Sequence, residues 1–263
     1  FSITVNASGL ADGTLSLSIT ATDAAGNEST AGTDTAVKDI AAPVISTVTS
    51  VATGAGVLKV GDTITFTVTM NAAEDGLVIA PTTYNGGTLS WSTANSGATY
   101  TATYTVAEGQ TDRGTALQLT GVTATDTFGN ASAAVSGSDV VKTIDANSPA
   151  APVITSIAGD GKINNSEKAA VVIVGTAEAS ATISGSLTGT GDPVTVSGIA
   201  DGSGNFSITV NASGLSDGTL SLSITTTDAA GNVSTAGTST AAKDIVAPVL
   251  PVDGIVGTTI QGA

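Results

Sequence analysis

TLSLSITAT, residues 14–22, sets Leu15, Leu17, Ile19 and Ala21 against Ser16, Ser18, Thr20 and Thr22 in strict alternation. Side chains of an extended strand point to opposite faces with a period of two, so the pattern predicts a strand with one buried and one wet face. The same alternation runs through 62-DTITFTVTM-70, 99-TYTATYTV-106, 206-FSITV-210 and 219-TLSLSITT-226. Between the runs stand 12-DG-13, 85-NGG-87, 201-DGSGN-205 and 217-DG-218, whose residues tolerate positive φ and close tight hairpins. Nothing shows sustained helical spacing, so the expected class is all-β.

The stretch is also duplicated. Residues 1–44 align without a gap to 206–249 and differ at six positions: 11, 21, 28, 34, 37 and 41. A looser third copy of its acidic loop lies between them, so that 23-DAAGNEST-30, 126-DTFGNASA-133 and 228-DAAGNVST-235 recur at spacings of 103 and 102 residues. A unit of that size suits a β-sandwich domain better than a solenoid repeat of ~20–50 residues. Asp39, Asp145 and Asp244 each stand four residues before a proline (Pro43, Pro149, Pro248), and an apolar run follows each: 44-VISTV-48, 153-VITSI-157 and 249-VLPV-252. Proline fixes φ and holds its predecessor extended, which stiffens a hand-over between domains. The expected division is the C-terminal half of one domain at 1–43, complete domains at 44–148 and 149–247, and the start of a further one at 248–263. Because the chain opens mid-pattern, it reads as a segment of something longer.

Composition narrows the function. The 263 residues are 41% hydrophobic, 3% aromatic and 11% charged, against about 25% charged in an ordinary domain. Twenty-two acids against seven bases give a net charge of -15. Without a Lys/Arg footprint, the charge argues against nucleic acid and disfavours anionic membranes as partners. The longest apolar run, 169-AAVVIV-174, falls far below the ~18 residues of a membrane span, so this segment is not expected to insert. The absence of histidine and cysteine removes the common catalytic triads, thiol catalysis, disulfides and thiolate metal sites. Paired carboxylates remain as a route to glycoside hydrolysis, but these acids fall in turns of a duplicated segment, and no enzyme is expected.

Taken together, the Asp-x-x-Gly-Asn-x-Ser loop, the Asp-x-x-x-Pro linker, 159-GDGKINNSE-167 and 175-GTAEASATI-183 resemble the bacterial immunoglobulin-like repeats of giant surface adhesins and biofilm-associated proteins. The resemblance covers essentially the whole chain, most closely 149–249, with 44–148 a divergent subtype. It implies tandem immunoglobulin-like sandwiches in an elongated array, an extracellular position at the bacterial cell surface, a stalk or spacer role, and calcium at the domain junctions.

The residues suit that cation. Calcium takes six to eight oxygen ligands from carboxylates, amides and carbonyls. The loops supply Asp23, Asp126 and Asp228 with Asn27, Asn130 and Asn232, and the linkers supply Asp39, Asp145 and Asp244. Aligning 54-GAGVLKVGD-62 with 159-GDGKINNSE-167 matches Asp62 to Glu167, while Asp160 has only Ala55 opposite it. If the last inter-strand loop faces the next domain, loop, linker and next-domain acid converge on one junction, and the first junction binds more weakly than the second. The span from Asp126 to Asp145 is 19 residues where the other two copies span 16, so that site has altered geometry. The competing reading is an ordinary turn, which Asp and Asn favour by bonding their own backbone. The 12-DG-13, 217-DG-218 and 201-DGSGN-205 turns are read as plain hairpins.

Neighbouring repeats of the same chain are the expected partners. Two other functions remain open. Sparsely charged strand edges permit copies to pair laterally into a filament or sheath. The middle domain also gathers Tyr84, Trp91, Tyr100 and Tyr104, which would serve either a core or a carbohydrate-stacking face.

Overall fold

The computed structural model describes residues 1–54, 56–115, 118–137 and 142–249. Ala55, and the 249-VLPV-252 strand and further domain expected beyond Val249, lie outside the described residues. The chain divides into two compact units, Phe1–Ala146 and Asn147–Ala263.

The second unit is a two-sheet sandwich. One sheet orders β11 (Val153–Ile157), β13 (Val171–Thr176) and β16 (Asn205–Val210) as β11-β13-β16; the other orders β12 (Lys162–Ile163), β14 (Thr182–Thr188), β15 (Val194–Ile199), β17 (Gly218–Thr227) and β18 (Gly237–Lys243) as β12-β18-β17-β14-β15. All pairs are antiparallel except β12 with β18, where Lys162 and Ile163 lie parallel to Ala242 and Lys243. The alternation read from sequence is realised: in β17, Leu220, Leu222 and Ile224 are buried between exposed serines. They meet Ile173, Ile183, Leu187 and Phe206 in a core of small aliphatics. At Gly175 the core closes on the backbone itself, since a Cβ there would lie 2.2 Å from the Val153 carbonyl oxygen and 2.4 Å from Phe206.

In the first unit, β1 (Gly13–Ile19) and β2 (Gly32–Lys38) form a hairpin paired from Gly13–Lys38 to Ile19–Gly32. Beyond it, β3 (Ile45–Ala52), β4 (Thr63–Met70), β8 (Ser92–Ala94) and β9 (Thr99–Thr105) make a sheet ordered β3-β4-β9-β8. Facing it are short pairs, β5 (Val78–Ala80) with β10 (Thr123–Thr125) and β6 (Thr83–Tyr84) with β7 (Gly87–Thr88). Here the core has rings: Phe66 and Tyr84 lie 4.9 Å apart, and Tyr84 and Tyr104 5.1 Å. Burial pushes the Tyr84 phenol up to about 12. The Tyr104 hydroxyl donates to Gln110 Oε1 at 2.6 Å and accepts from Asn85 Nδ2 at 3.1 Å, while Asn85 Oδ1 accepts from Arg113 Nε at 2.8 Å. Tyr100 is buried as well, and the half-buried Trp91 packs on this core and donates its indole N–H to the Pro81 carbonyl at 2.9 Å. The three tyrosines are therefore core residues and present no stacking face.

The duplicated 44 residues take two structures. In the second unit FSITV forms β16, whose Phe206, Ile208 and Val210 are buried against β13. At residues 1–5 the same five side chains form no strand, and Ile3 is 59% exposed where Ile208 is 7%. The difference is non-local: among the described residues β1 pairs with β2 alone, whereas its copy β17 pairs with both β18 and β14.

That contrast gives a matched pair of substitutions. Leu222 is 1% exposed and Leu17, its copy, 45%. Leu222→Ala is expected to cost ~2–5 kcal/mol through lost contacts and a residual cavity, whereas Leu17→Ala should cost ~0.5 kcal/mol or less. Urea denaturation of the full chain measures both.

Candidate functional site

Each acidic loop closes on itself. Asp23 Oδ1 accepts from the backbone N–H of Ala25 and of Asn27, both at 2.9 Å, and the Asn27 amide donates to Oδ2 at 2.9 Å. Asp126 repeats this with Phe128 and Asn130, all at 2.8 Å. Asp228 does so with Gly231, Asn232 and the Asn232 amide at 2.7–2.9 Å. The glycine before each asparagine sits at a φ of 90° (Gly26), 93° (Gly129) or 94° (Gly231), a left-handed turn that residues with a Cβ rarely adopt. The Asp201 loop, 201-DGSGN-205, shares the spacing and the bonds, with Ser203 and Asn205 N–H groups at 2.8 and 2.9 Å from Oδ1. The Asp201 loop, expected to be a hairpin, instead carries the chain from β15 in one sheet to β16 in the other, and it shares one motif with the candidate metal loops.

These bonds set the carboxyl acidity. The Asn27 side chain, then its backbone N–H, hold Asp23 below its ordinary 3.8. The Asn205 and Ser203 N–H groups do the same for Asp201. Around Asp126 burial works upward, but the Asn130 side chain and the N–H groups of Asn130, Phe128 and Gly129 together bring it down.

The fold sorts the remaining acids to two poles. In the second unit the chain enters at β11 and leaves after β18. Asp228 and Asn232 lie between β17 and β18 at the entry pole, where the neighbouring Thr226 hydroxyl donates to the Ala150 carbonyl at 3.4 Å. Asp160, Glu167 and Asp244 lie at the exit pole. There Asp160 accepts from Lys162 N–H at 2.9 Å, Glu167 from Asn164 N–H at 3.1 Å, and the Asp244 N–H donates to the Ile163 carbonyl at 3.0 Å. In the first unit Asp62, the match of Glu167, likewise accepts from the N–H three residues back, Lys59 at 3.0 Å. It too sits at an exit pole, beside Leu58, whose carbonyl takes the Asp145 N–H at 2.8 Å.

The convergence expected from sequence therefore needs correction. Asp23 and Asn27 sit at the opposite end of the β1–β2 hairpin from Asp39, because β2 runs its whole length between them. Asp62 is at the far pole of its domain from Asp39, because β3 carries the chain away before Asp62 turns it back. What meets Asp39 is the loop of the domain that follows it. The Asn130 amide donates to the Asp39 carbonyl at 3.2 Å. Glu74, after β4, joins the group: burial raises its carboxyl above the ordinary 4.5, and the charges of Asp126 and Asp39 push it further the same way.

Two features escaped the sequence reading. Glu74 was overlooked because 71-NAAEDG-76 repeats nowhere, although Glu178 occupies the corresponding turn after β13. The 12-DG-13 and 217-DG-218 turns, expected to be hairpins, close none, because Gly13 and Gly218 open β1 and β17 and the strand before β17, β16, lies in the other sheet; instead Asp12 accepts from Ile40 N–H at 3.2 Å and Asp217 from Ile245 N–H at 3.3 Å. Asp112 does the same for Ala146 at 2.8 Å. Each thereby fixes the residue that follows a linker aspartate. Among the described residues no three acidic side chains are grouped closely enough to hold a metal ion as they stand.

Residues 39–143 match the family model described as a bacterial Ig-like domain, and 148–244 that of a bacterial Ig domain. Among solved structures, a 1.5-MDa bacterial ice-binding adhesin aligns at 24% identity over 90% of this chain and 76% of its own, with a TM-score of 0.38. A tetra-tandem repeat from the extending region of a large adhesion protein aligns at 21% over 91% of this chain, with a TM-score of 0.32. A Yersinia pseudotuberculosis adhesin aligns at 16% over 77%, with a TM-score of 0.29. The chain spans 59% and 58% of the length of the last two. No curated protein matches the sequence significantly. Among the described residues no helix is long and apolar enough to cross a membrane.

The acids at the entry pole carry opposite pH dependences. Glu74 holds its proton more tightly folded than unfolded, so its charge destabilises the fold above its raised pKa, and protonation relieves this as pH falls. Asp126 contributes stability that is present above 3.8 and lost as pH falls through its lowered folded value. Glu74→Gln should raise the melting temperature by a few degrees near neutral pH and by nothing well below 4.5. Asp126→Asn should lower it near neutral pH, with the difference fading in acid; thermal melts across pH read both signs. Over residues 39–143 and 148–244, then, the chain belongs to the bacterial immunoglobulin-like domain families.

Proposed function

We propose that the chain is a structural spacer of an extracellular bacterial adhesion protein, of the kind found in surface adhesins and biofilm matrices, working through length and stiffness rather than catalysis. The observation that carries this reading is the pair of family matches in tandem, together with sandwiches that take the chain in at one pole and release it at the other. A repeat built that way adds its strand length to a tether. The Asp12, Asp112 and Asp217 bonds support it, since they hold the backbone just past each linker aspartate.

Calcium belongs to the proposal at the junction between the hairpin and the middle domain. Asp39, Glu74 and Asp126 bring like charges together there, and Asn130 supplies an amide beside them. A divalent cation would neutralise that repulsion and fix the linker to the domain it enters. The Asp126 carboxylate is engaged by its own N–H groups just as those of Asp23, Asp201 and Asp228 are, and differs from them in lying close enough to Glu74 for its charge to act there; the other three loops serve as turns.

A ligand that binds only the folded state stabilises it by ~2.7 kcal/mol at a hundredfold excess over Kd. Thermal melts and small-angle scattering of the full chain, in chelator, in millimolar calcium and in matched magnesium, test the assignment. Calcium alone is expected to raise the melting temperature by several degrees, and Glu74→Gln with Asp39→Asn to abolish the rise. Equal behaviour in all three solutions would leave the spacer without its cation.

A further inference from the structure

Asparagine followed two residues later by serine recurs seven times in this chain. That spacing is the acceptor motif for a sugar on the asparagine amide, at home in the surface loops of secreted proteins. The fold sorts the seven into two classes. Asn27, Asn130, Asn205 and Asn232 end the Asp-x-x-Gly-Asn loops, and each lends its side-chain amide to the aspartate of its own loop. The bonds are 2.8–2.9 Å for Asn27, Asn130 and Asn232, and Asn205 bonds Asp201 likewise. The serines that complete two of these motifs are taken as well: Ser132 and Ser234 are buried, accepting the Ala124 and Thr226 N–H groups at 2.9 Å. Asn205 and Ser207 are held in β16 against β13.

Asn164 and Asn211 are placed differently. Both are exposed in loops at the exit pole of the second unit, and neither side-chain nitrogen donates a hydrogen bond among the described residues. The amide oxygen accepts instead. Asn211 Oδ1 takes the Ser213 N–H at 2.9 Å; Asn164 Oδ1 takes the Ser166 N–H at 2.8 Å and the Ser166 hydroxyl at 2.6 Å. The two loops adjoin, because the Ala212 N–H donates to the Lys168 carbonyl at 2.8 Å. Asn6, the copy of Asn211, makes the same turn with the Ser8 N–H at 2.9 Å and is exposed with the following domain in place.

We propose that Asn164 and Asn211 are acceptor sites for N-linked sugar, the donor being a hexose activated on a phosphate and the transferase a separate protein. An amide nitrogen is a poor nucleophile because its electron pair is shared with the carbonyl. Hydrogen bonds to the carbonyl oxygen stabilise the charge it takes up as the nitrogen sheds a proton, and both asparagines are held in that arrangement with the nitrogen open to solvent. The nitrogen attacks the anomeric carbon. The N–C bond forms as the C–O bond to phosphate breaks, the phosphate leaves with the electron pair, and the amide proton passes to a base of the transferase. The sugars stand where the chain leaves the domain, since Asn164 follows Ile163, whose carbonyl takes the Asp244 N–H.

The test uses the folded full chain and two donors: a nucleoside diphosphate hexose with a soluble transferase, and a lipid-pyrophosphate-linked sugar with a membrane-bound one. Each enzyme is chosen for modifying short peptides spanning 160–170, 207–217 and 228–236, so that the motif alone suffices for it. Mass spectrometry of the folded chain is then expected to find sugar at Asn164 and Asn211, with Asn6. Asn27, Asn130, Asn205 and Asn232 should carry about tenfold less or lower, since each must first break a hydrogen bond to a carboxylate. Ser166→Ala and Ser213→Ala should each reduce their own site to background and leave the other unchanged. Sugar from one donor alone supports the assignment and identifies the source. The proposal is overturned if Asn164 or Asn211 stays bare with both donors, or if Asn232 of the folded chain is modified as readily as Asn211.

Discussion

The pairing of β16 with β13, residue against residue from Val171–Val210 to Thr176–Asn205, closes the smaller sheet of the second unit and brings Phe206 and Ile208 over the core. Much else rests on it. Once β16 is seated, the chain passes through Leu215 to β17, and β17 can lie between β14 and β18 with Leu220, Leu222 and Ile224 inward. An apolar face contributes stability only when something removes it from water, at ~25 cal/mol per Å². The copy at 1–5 shows the converse: with the same alternation, it pairs with no strand among the described residues and forms no β-structure.

This is also where the sequence stops being informative. Alternation in 62–70, 99–106 and 219–226 located β4, β9 and β17 because a period of two is a property of each strand alone. The 1–5 stretch could not be separated from 206–210 by any local rule, since the two are identical and only their partners differ. The aromatics were ambiguous for the same reason: whether Tyr84 and Tyr104 face a core or a ligand depends on Phe66, brought to Tyr84 from β4, and on Asn85, brought to Tyr104 from the turn after β6.

Candidate ligands followed the same division. The Asp-x-x-Gly-Asn loops were legible as loops, and the match of Asp62 to Glu167 holds in the structure, where both carboxylates bond the N–H three residues back. Their assignment to poles was not legible, because it depends on the direction in which intervening strands carry the chain. Counting strands from Asp39 gives the answer: β3 leads away and β4 leads back, so the next acid beside Asp39 is Glu74 and not Asp62. The loop hydrogen bonds explain why the motif recurs even at Asp201, in a crossing from one sheet to the other with no linker nearby: it is first a way to end one strand and start another.

The parallel contact of β12 with β18 has a mechanical meaning. In the second unit the chain enters at the start of β11 and leaves at the end of β18, so tension applied between these ends runs along the strands. β18 is gripped by β17 on one side, from Gly218–Lys243 to Ile224–Gly237, and by Lys162 and Ile163 on the other. Drawing Lys243 outward must slide β18 past both neighbours at once, loading all of those hydrogen bonds together instead of opening them one after another. In the first unit Ile144 bridges Leu58 in parallel and Arg113 in antiparallel fashion, so the same grip is present in a domain of different sequence. Resistance to pulling is set in this fold by which strand leaves last and what holds its two edges.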